Sequence, residues 1–380
     1  MSEQVRPASL QALLAVITVL TCFLVIDQLR IFGRPWLSGV IELETQYYFV
    51  LIALLLPVVF LIYPLRLPWL ARPVLIGFDL TLALAAFMAP MWLAWHAHAI
   101  LDEGWEFVAP DSAVIASAML WLLVLEGVRR TSGPMLCGLV MLFSIYPLVA
   151  DQVPEMVSGM AISFKEAAAY HAMSIESIAG LPFRAFATLV IGFLVFGATL
   201  QHTGGGRFFI NLAFAMFGHV RGGSAKVAIV SSGLMGSMSG SVITNVLTTG
   251  QMTIPAMKKN GMEKEYAAGV EACASTGGVL LPPIMGSTAF VMATFLNVAY
   301  TTVALAAAIP AFLYFFGLFI QVDAYAARKG LVGTPRDELP SLTETMKQGW
   351  FYIAAFMVLI FLLVYLQREA VAPFYATGML

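Results

Sequence analysis

At eight places in this chain an apolar run approaches the length a helix needs to cross a hydrocarbon layer, roughly 20 residues. The runs fall at about 10–29, 47–65, 73–95, 113–128, 133–150, 183–201, 300–320 and 349–366. A soluble core cannot hide this much apolar surface. Of the 380 residues, 60% are hydrophobic and only 11% are charged, where an ordinary soluble domain carries about 25%. The reading is therefore an all-α polytopic membrane protein. The first run, "LQALLAVITVLTCFLVI" (10–26), is followed by Asp27-Gln28 and not by a small-residue cleavage site. It reads as a retained span and not as a signal peptide. Cys22, Cys137 and Cys273 sit singly in apolar runs, a spacing that offers no zinc motif and no disulfide framework. The net charge of −2, with no basic block, gives no sign of nucleic-acid binding.

Lysine and arginine set the orientation. With the N-terminus (Arg6) in the cytoplasm, Arg66, Arg72, Arg129, Arg130, Arg207, Arg221, Lys226, Lys258, Lys259, Lys264, Arg328, Lys329, Arg336 and Lys347 also fall inside, and Arg30, Arg34, Lys165, Arg184 and Arg368 fall outside. This ratio of 15 to 5 favours a cytoplasmic N-terminus. It holds only if 222–257 enters and leaves on the same side. Within that segment "VAIVSSGLMG" (227–236) and "VLTTGQMTIPAM" (246–257) are each too short to cross. They read as two half-length helices of a re-entrant hairpin, with "GSMSGSVITNVLTTG" (236–250) at the tip.

The next segment, from Lys264 to about Tyr300, is long enough to cross. It is interrupted by "ASTGGVLLPPIMGS" (274–287), where Gly277-Gly278 loosen a helix and Pro282-Pro283 break it. It reads as a discontinuous transmembrane helix whose break lies at the depth of the hairpin tip. Two further amphipathic stretches, within 151–182 and at 207–220, read as interfacial helices.

Irregular backbone at membrane depth is tolerated only where it is buried in protein or lines a cavity. Two such breaks at one depth point to the ion and substrate site of a secondary transporter. Hydroxyl and carbonyl oxygens are hard ligands suited to a small cation such as sodium. Half-helix N-termini suit a carboxylate. The candidate oxygens of the tip are those of Ser237, Ser239, Ser241 and Asn245, with Gly236 and Gly240 allowing the turn and Thr248 and Thr249 one turn further on. In the broken helix the counterparts are Ser275, Thr276, Gly277 and Gly278. Glu271 lies on the same half-helix. An ionisable residue inside a span is a functional candidate by default, although this one reads as near the cytoplasmic interface. The competing reading of the small residues is close helix packing.

At these residues the sequence resembles the large membrane subunit of tripartite ATP-independent periplasmic (TRAP) transporters. The matching pieces are "GLMGSMSGSVITNVLTTGQMTIPAMKKNGM" (233–262), "YAAGVEACASTGGVLLPPIMGS" (266–287) and, after the next span, "DAYAARKGL" (323–331). The spans before Arg130 look like the small membrane subunit fused in front, an arrangement similar to the TAXI subclass. The resemblance implies three regions: a small-subunit-like bundle at 1–130, a connecting helix with a periplasmic segment at 131–182, and the first half of a transport module at 183–380. It also implies a bacterial inner-membrane permease of elevator type, driven by sodium and fed with organic acids (dicarboxylates or glutamate-like compounds) by a periplasmic substrate-binding protein. Ser237, Ser239, Gly240, Asn245, Thr276 and Gly278 are then the sodium ligands, and Ser241, Thr248, Thr249, Ser275 and Pro283 line the substrate. The family's large subunit has two inverted repeats and this sequence shows one. A half-transporter completed by a second chain, or a non-transporting scaffold, is the alternative expectation.

No nucleophile motif, Walker loop or haem spacing suggests an enzyme, and no cofactor is expected beyond the coupling ion. His96 and His98 read as interfacial packing beside Trp92 and Trp95 and not as a metal pair. Asp27, Asp79 and Glu126 read as partners within the helical scaffold. The acidic stretch "LDEGWEFVAPDS" (101–112) and 151–182 are expected on the periplasmic face, where the binding protein would dock.

Overall fold

The computed structural model describes residues 7–33, 35–37, 39–65 and 71–380. Every regular element among the described residues is helical. Arg6, Arg34 and Arg66, which enter the charge count above, lie outside these residues. Seven helical segments among the described residues are long and apolar enough to cross a membrane. The chain divides into two compact units, Met1–Ala187 and Thr188–Leu380.

The first unit holds α1 (Ala8–Gln28), α2 (Glu44–Ile62), α3 (Arg72–Trp95), the short α4 (Ala97–Asp102), α5 (Asp111–Ser132), α6 (Pro134–Ile145), α7 (Phe164–Met173) and α8 (Leu181–Ala185). Helices α2, α3 and α5 pack around Phe60, Ala83, Ala86 and Leu123. Small alanines at these crossings let the helices approach closely, as membrane packing requires.

A buried ionic network ties the C-terminal ends of α2 and α5 to α3. Arg130 donates to Asp79 at 2.6 Å and to the Tyr63 carbonyl at 3.1 Å through Nη1, and to Glu126 at 2.7 Å through Nε. Its side chain is 3% exposed and its guanidinium lies 5.0 Å from the centre of the Phe60 ring. The second oxygen of Asp79 accepts from Leu65 N at 3.0 Å, and Arg129 reaches Glu126 from the half-exposed side. Asp27 accepts from the Trp36 and Leu37 amides instead. The three acids thus serve the scaffold.

The run at 133–150 differs from expectation. It forms the 12-residue α6 and a 3-10 turn at Tyr146–Leu148, too short for a full crossing at about 1.5 Å per residue. Pro147, without an amide hydrogen and hostile to helix at the residue before it, accounts for the stop. The interfacial stretch within 151–182 supplies α7. Its N-terminus is a capping box, in which Ser163 Oγ accepts from Glu166 N and Glu166 returns to Ser163 N. These hydrogen bonds hold the Glu166 carboxyl below the usual carboxylate range. The alanine face of α7 buries against Trp121 and Leu125 of α5. His96 stacks on Trp92 with centroids 4.0 Å apart, whereas Trp95 is exposed and His98 pairs with Glu42 at 3.3 Å. No metal-binding cluster of His, Cys, Asp or Glu occurs among the described residues.

A π-helical stretch, Phe186–Val190, runs across the division in the chain, and the second unit continues as α9 (Ile191–His202), α10 (Gly205–Phe217), α11 (Gly223–Ser239), α12 (Val242–Lys259), α13 (Lys264–Gly278), α14 (Ser287–Leu296), α15 (Tyr300–Lys329), α16 (Leu342–Val364) and α17 (Ala372–Thr377). Helices α11, α12 and α13 pack mutually around Ala228, Ile229, Met257, Ala267 and Ala274. The 30 residues of α15 make a rod of about 45 Å. It exposes Leu305, Ile309, Phe312, Leu313, Phe316 and Ile320 along one apolar stripe. Near its other end Asp323 holds both Lys226 (2.5 Å) and Arg221 of the α11 region.

Breaking a buried ion pair leaves one charge without its partner. Asp79→Ala is therefore expected to destabilise the detergent-solubilised protein by about 3–5 kcal/mol. Arg129→Ala, at the exposed edge, should cost about 1 kcal/mol or less. Chemical unfolding followed by tryptophan fluorescence reads both. Equal effects would show that burial does not govern this network.

Candidate functional site

Helices α11 and α12 form an antiparallel hairpin. Its connection is Gly240-Ser241 alone, narrower than the sequence suggests. The helices are 17 and 18 residues long, so Ser237 and Ser239 are helical and do not belong to an open loop. Glycine's cheap access to left-handed backbone makes the stop: Gly240 has φ +61 and its amide bonds the Gly236 carbonyl at 3.0 Å. Ser241 then caps α12, its Oγ accepting from Thr244 N at 3.4 Å.

The broken helix is confirmed, with a later start. Helix α13 continues to Gly278, and the non-helical stretch is 279–286. The Gly286 amide closes it onto the Val279 carbonyl at 2.9 Å. The Tyr300 hydroxyl pins it to the start of α15, lying 2.8 Å from the Pro283 carbonyl and 2.5 Å from that of Ile284. Met285 is held at φ +63, a conformation uncommon outside glycine.

Hairpin and break meet at two places, and both need glycine. A Cβ on Gly236 would fall 2.6 Å from Gly278 Cα, and one on Gly278 would fall 2.7 Å from Gly236 Cα. A Cβ on Gly240 would fall 2.6 Å from the Met285 carbonyl oxygen. Helices α12 and α14, which start at Val242 and Ser287, therefore present their N-termini within two residues of the Gly240–Met285 contact.

Asn245 lies at the first crossing. Its Nδ2 donates to the Ser232 carbonyl at 2.7 Å, which fixes the orientation of the amide. Its Oδ1 is buried and has no hydrogen-bond partner. A buried acceptor left bare costs about 1–3 kcal/mol, so this oxygen marks a place that a ligand would satisfy.

One turn away the Glu271 carboxylate is fully buried. Its Oε1 accepts from Ser232 at 2.6 Å, Thr249 at 2.5 Å and Ser275 at 3.2 Å. Its Oε2 accepts from Thr253 at 2.5 Å. Ser232 and Thr249 also touch each other at 2.9 Å. One acid of α13 thus gathers hydroxyls from both arms of the hairpin. At the basic end Glu263, between α12 and α13, bonds Lys329 at 2.8 Å, which holds its carboxyl below the ordinary range.

Of the expected sodium ligands, Asn245 and Gly278 meet at the crossing, and Gly240 lies on the break. Ser237 is buried but donates to its own Leu234 carbonyl at 2.8 Å, and Ser239 lies within 3.5 Å of Ser241. Thr276 is not brought in: it is exposed and donates to the Ala272 carbonyl. Of the expected substrate residues, Ser241 and Pro283 lie at the hairpin turn and in the break. Thr249 and Ser275 are sealed in the Glu271 cluster, and Thr248 donates back to Thr244. Glu271, expected near the cytoplasmic interface, is fully buried where α11, α12 and α13 meet. Sequence reasoning misses Ser232 and Thr253. The signal for Thr253 lies in spacing, because Thr249/Thr253 and Glu271/Ser275 are i,i+4 pairs that share a helix face; Ser232 carries no such signal.

Residues 119–380 match the family model for the tripartite ATP-independent periplasmic transporter, DctM component. The chain belongs to that family. It is 35% identical over 167 residues to the C4-dicarboxylate TRAP transporter large permease protein DctM of Vibrio cholerae, covering 43% of this chain and 36% of that protein. The DctM protein of Pseudomonas aeruginosa is 28% identical over 207 residues, covering 54% of this chain and 45% of the relative. The sialic acid TRAP transporter permease SiaT of Haemophilus influenzae is 28% identical over 177 residues, covering 46% and 28%. The chain thus spans less than half the length of these relatives. All three are named as permeases and none as an enzyme.

The glycine crossing gives a direct test. Gly236→Ala forces a methyl against backbone and is expected to cost about 1–3 kcal/mol. Gly269→Ala, where nothing lies within 4 Å, should be neutral or mildly stabilising. Thermal unfolding in detergent distinguishes them, and an unperturbed Gly236→Ala would remove the crossing as a constraint.

Proposed function

We propose that this chain is the membrane permease component of a sodium-driven uptake system for small organic acids, which a periplasmic substrate-binding protein delivers. The observation that carries the reading is the bare, buried Oδ1 of Asn245 at the crossing of hairpin and break. Sodium is satisfied by several neutral oxygens that replace its water shell. Asn245 Oδ1, backbone carbonyls of 278–286 and the hydroxyls of Ser237 and Ser239 are the donors within this region. Thr276 would join only after turning its side chain inward.

For the substrate, the converging N-termini of α12 and α14 favour a carboxylate. Relatives named for C4-dicarboxylates and sialic acid support the same chemical class, acids that carry carboxylates. Ser241 and Pro283 are its nearest expected contacts. A segment carrying the inverted second repeat, on this polypeptide or another, belongs to the working assembly in this reading.

The family membership and the 15-to-5 asymmetry of basic residues support the location: the bacterial inner membrane, with the N-terminus and the basic ends of α11 to α13 in the cytoplasm, the hairpin re-entering from that side, and α7 on the periplasmic face. A cysteine placed at Lys258, in a background with the three native cysteines replaced by serine, is expected to react with membrane-impermeant maleimide only after the cytoplasmic face is opened. Reaction in intact spheroplasts would reverse the orientation.

Sodium binding is expected to raise the melting temperature of the purified chain relative to potassium. Asn245→Ala removes one ligand worth about 1–3 kcal/mol, weakening sodium binding roughly 5- to 150-fold. The sodium concentration for half-maximal uptake by the complete assembly in proteoliposomes should rise in the same direction. Wild-type sodium dependence in Asn245→Ala would reduce this residue to packing.

A further inference from the structure

Glu271 is the only fully buried acid of the second unit among the described residues, and no lysine, arginine or histidine touches it. The charged groups of the helices around it are held elsewhere. Lys226 of α11 is taken by Asp323 of α15, Lys259 of α12 by Glu338, Lys329 of α15 by Glu263, and Lys264 of α13 lies beside Glu265. Lys258 lies five residues beyond Thr253 at the end of α12, and Arg328 lies over the Tyr325 ring. The phenols are also engaged: Tyr314 donates to the Cys273 carbonyl, and Tyr266 and Tyr325 stack on each other. An ionised carboxylate in such a place depends entirely on its four hydroxyls.

The hydrogens of that cluster can be counted. Ser232, Thr249, Thr253 and Ser275 bring one each. With Glu271 ionised, all four point at the carboxylate. With Glu271 protonated on Oε2, the acid donates to Thr253 Oγ1, and the Thr253 hydrogen turns to the Thr249 carbonyl, 3.0 Å away. Thr249 has a second acceptor as well, the Asn245 carbonyl at 2.8 Å. Ser232 and Ser275 go on donating to Oε1. Both protonation states are therefore fully hydrogen-bonded with no heavy atom displaced; only hydroxyl hydrogens rotate. A merely structural acid needs one such arrangement, and this cluster provides two.

The cluster also reaches the Asn245 site. Asn245 Nδ2 holds the Ser232 carbonyl, and the Asn245 carbonyl is the alternative acceptor for Thr249. A cation arriving at Asn245 favours the negative form of a nearby acid. By reciprocity, protonation then weakens the cation.

We propose that Glu271 is a proton-binding site that takes a proton from solution onto Oε2 and releases it when a cation binds at Asn245. The site adds a second coupling ion, the proton, to the sodium reading above, and the sodium half of the proposal rests on that reading.

Infrared difference spectroscopy of the purified chain in lipid tests it. A pH titration without sodium should interconvert an acid carbonyl stretch and carboxylate bands reversibly. The Glu271 contribution to both, obtained by subtracting the spectrum of the variant, should be absent in Glu271→Gln, the isostere of the protonated form. Should that variant fail to fold, Ser232→Ala assigns the band instead: losing a donor to Oε1 moves the acid carbonyl stretch to higher frequency. Sodium added at fixed pH should decrease the acid band, and potassium should not. A carboxyl that stays acid, or stays carboxylate, at every pH where the chain is folded overturns the proton site. A titration indifferent to sodium, in protein whose melting temperature does respond to sodium, overturns the coupling. If neither responds, the sodium reading has failed, and the pH titration alone decides whether Glu271 binds a proton.

Discussion

Backbone meets backbone where Gly236 crosses Gly278, and the interior of the second unit depends on that contact. Each glycine leaves room for the other's Cα and for the amide of Asn245. The approach brings the Ser232 hydroxyl within 2.6 Å of Glu271. A methyl at either glycine would push α11 from α13 and lengthen that bond. Hydrophobic packing around Ile229 and Met257 holds the three helices, but the glycines set the distance at which polar chemistry becomes possible.

The two units handle buried charge in different ways. In the first, acids meet arginine: Asp79 and Glu126 converge on Arg130, and the network joins the C-terminal ends of α2 and α5 to α3. In the second, the cationic partners stay at the helix ends, where Lys226 and Arg221 share Asp323. The interior acid is left to hydroxyls. Arginine keeps its charge at any accessible pH, so the first network has one electrostatic state. A ring of hydroxyls accepts or donates according to need, and such a ring imposes no fixed sign on the group it surrounds.

Much of this was legible in the chain. Apolar runs near 20 residues gave the long helices, because hydrocarbon thickness leaves few other solutions. Gly240 and Pro282-Pro283 marked the two interruptions, because backbone chemistry there is local. The extent of regular helix was less legible. Serines and threonines look like loop formers, yet Ser237, Ser239, Ser275 and Thr276 remain helical. In an apolar surrounding a hydroxyl satisfies itself on the carbonyl one turn back, as Thr276 and Thr248 do. Glu271 was visible as a lone ionisable residue, but its burial among three helices was not, because that depends on which neighbours the fold brings around it. Its partners were the hardest to see: Ser232 is 39 residues away, and only the hairpin's register brings it in.

The Tyr300 hydroxyl has a consequence for the break. A phenol owns one hydrogen, yet two main-chain carbonyls, of Pro283 and Ile284, lie within its reach. Pro283 brings no amide hydrogen of its own. The stretch therefore holds more lone pairs than hydrogens to occupy them, and one carbonyl is always in surplus. The bare oxygen of Asn245 adds to the same imbalance on the hairpin side. Neutral oxygens in surplus thus stand on both sides of this region, without a formal charge that salt-bridge formation or a change of pH could remove.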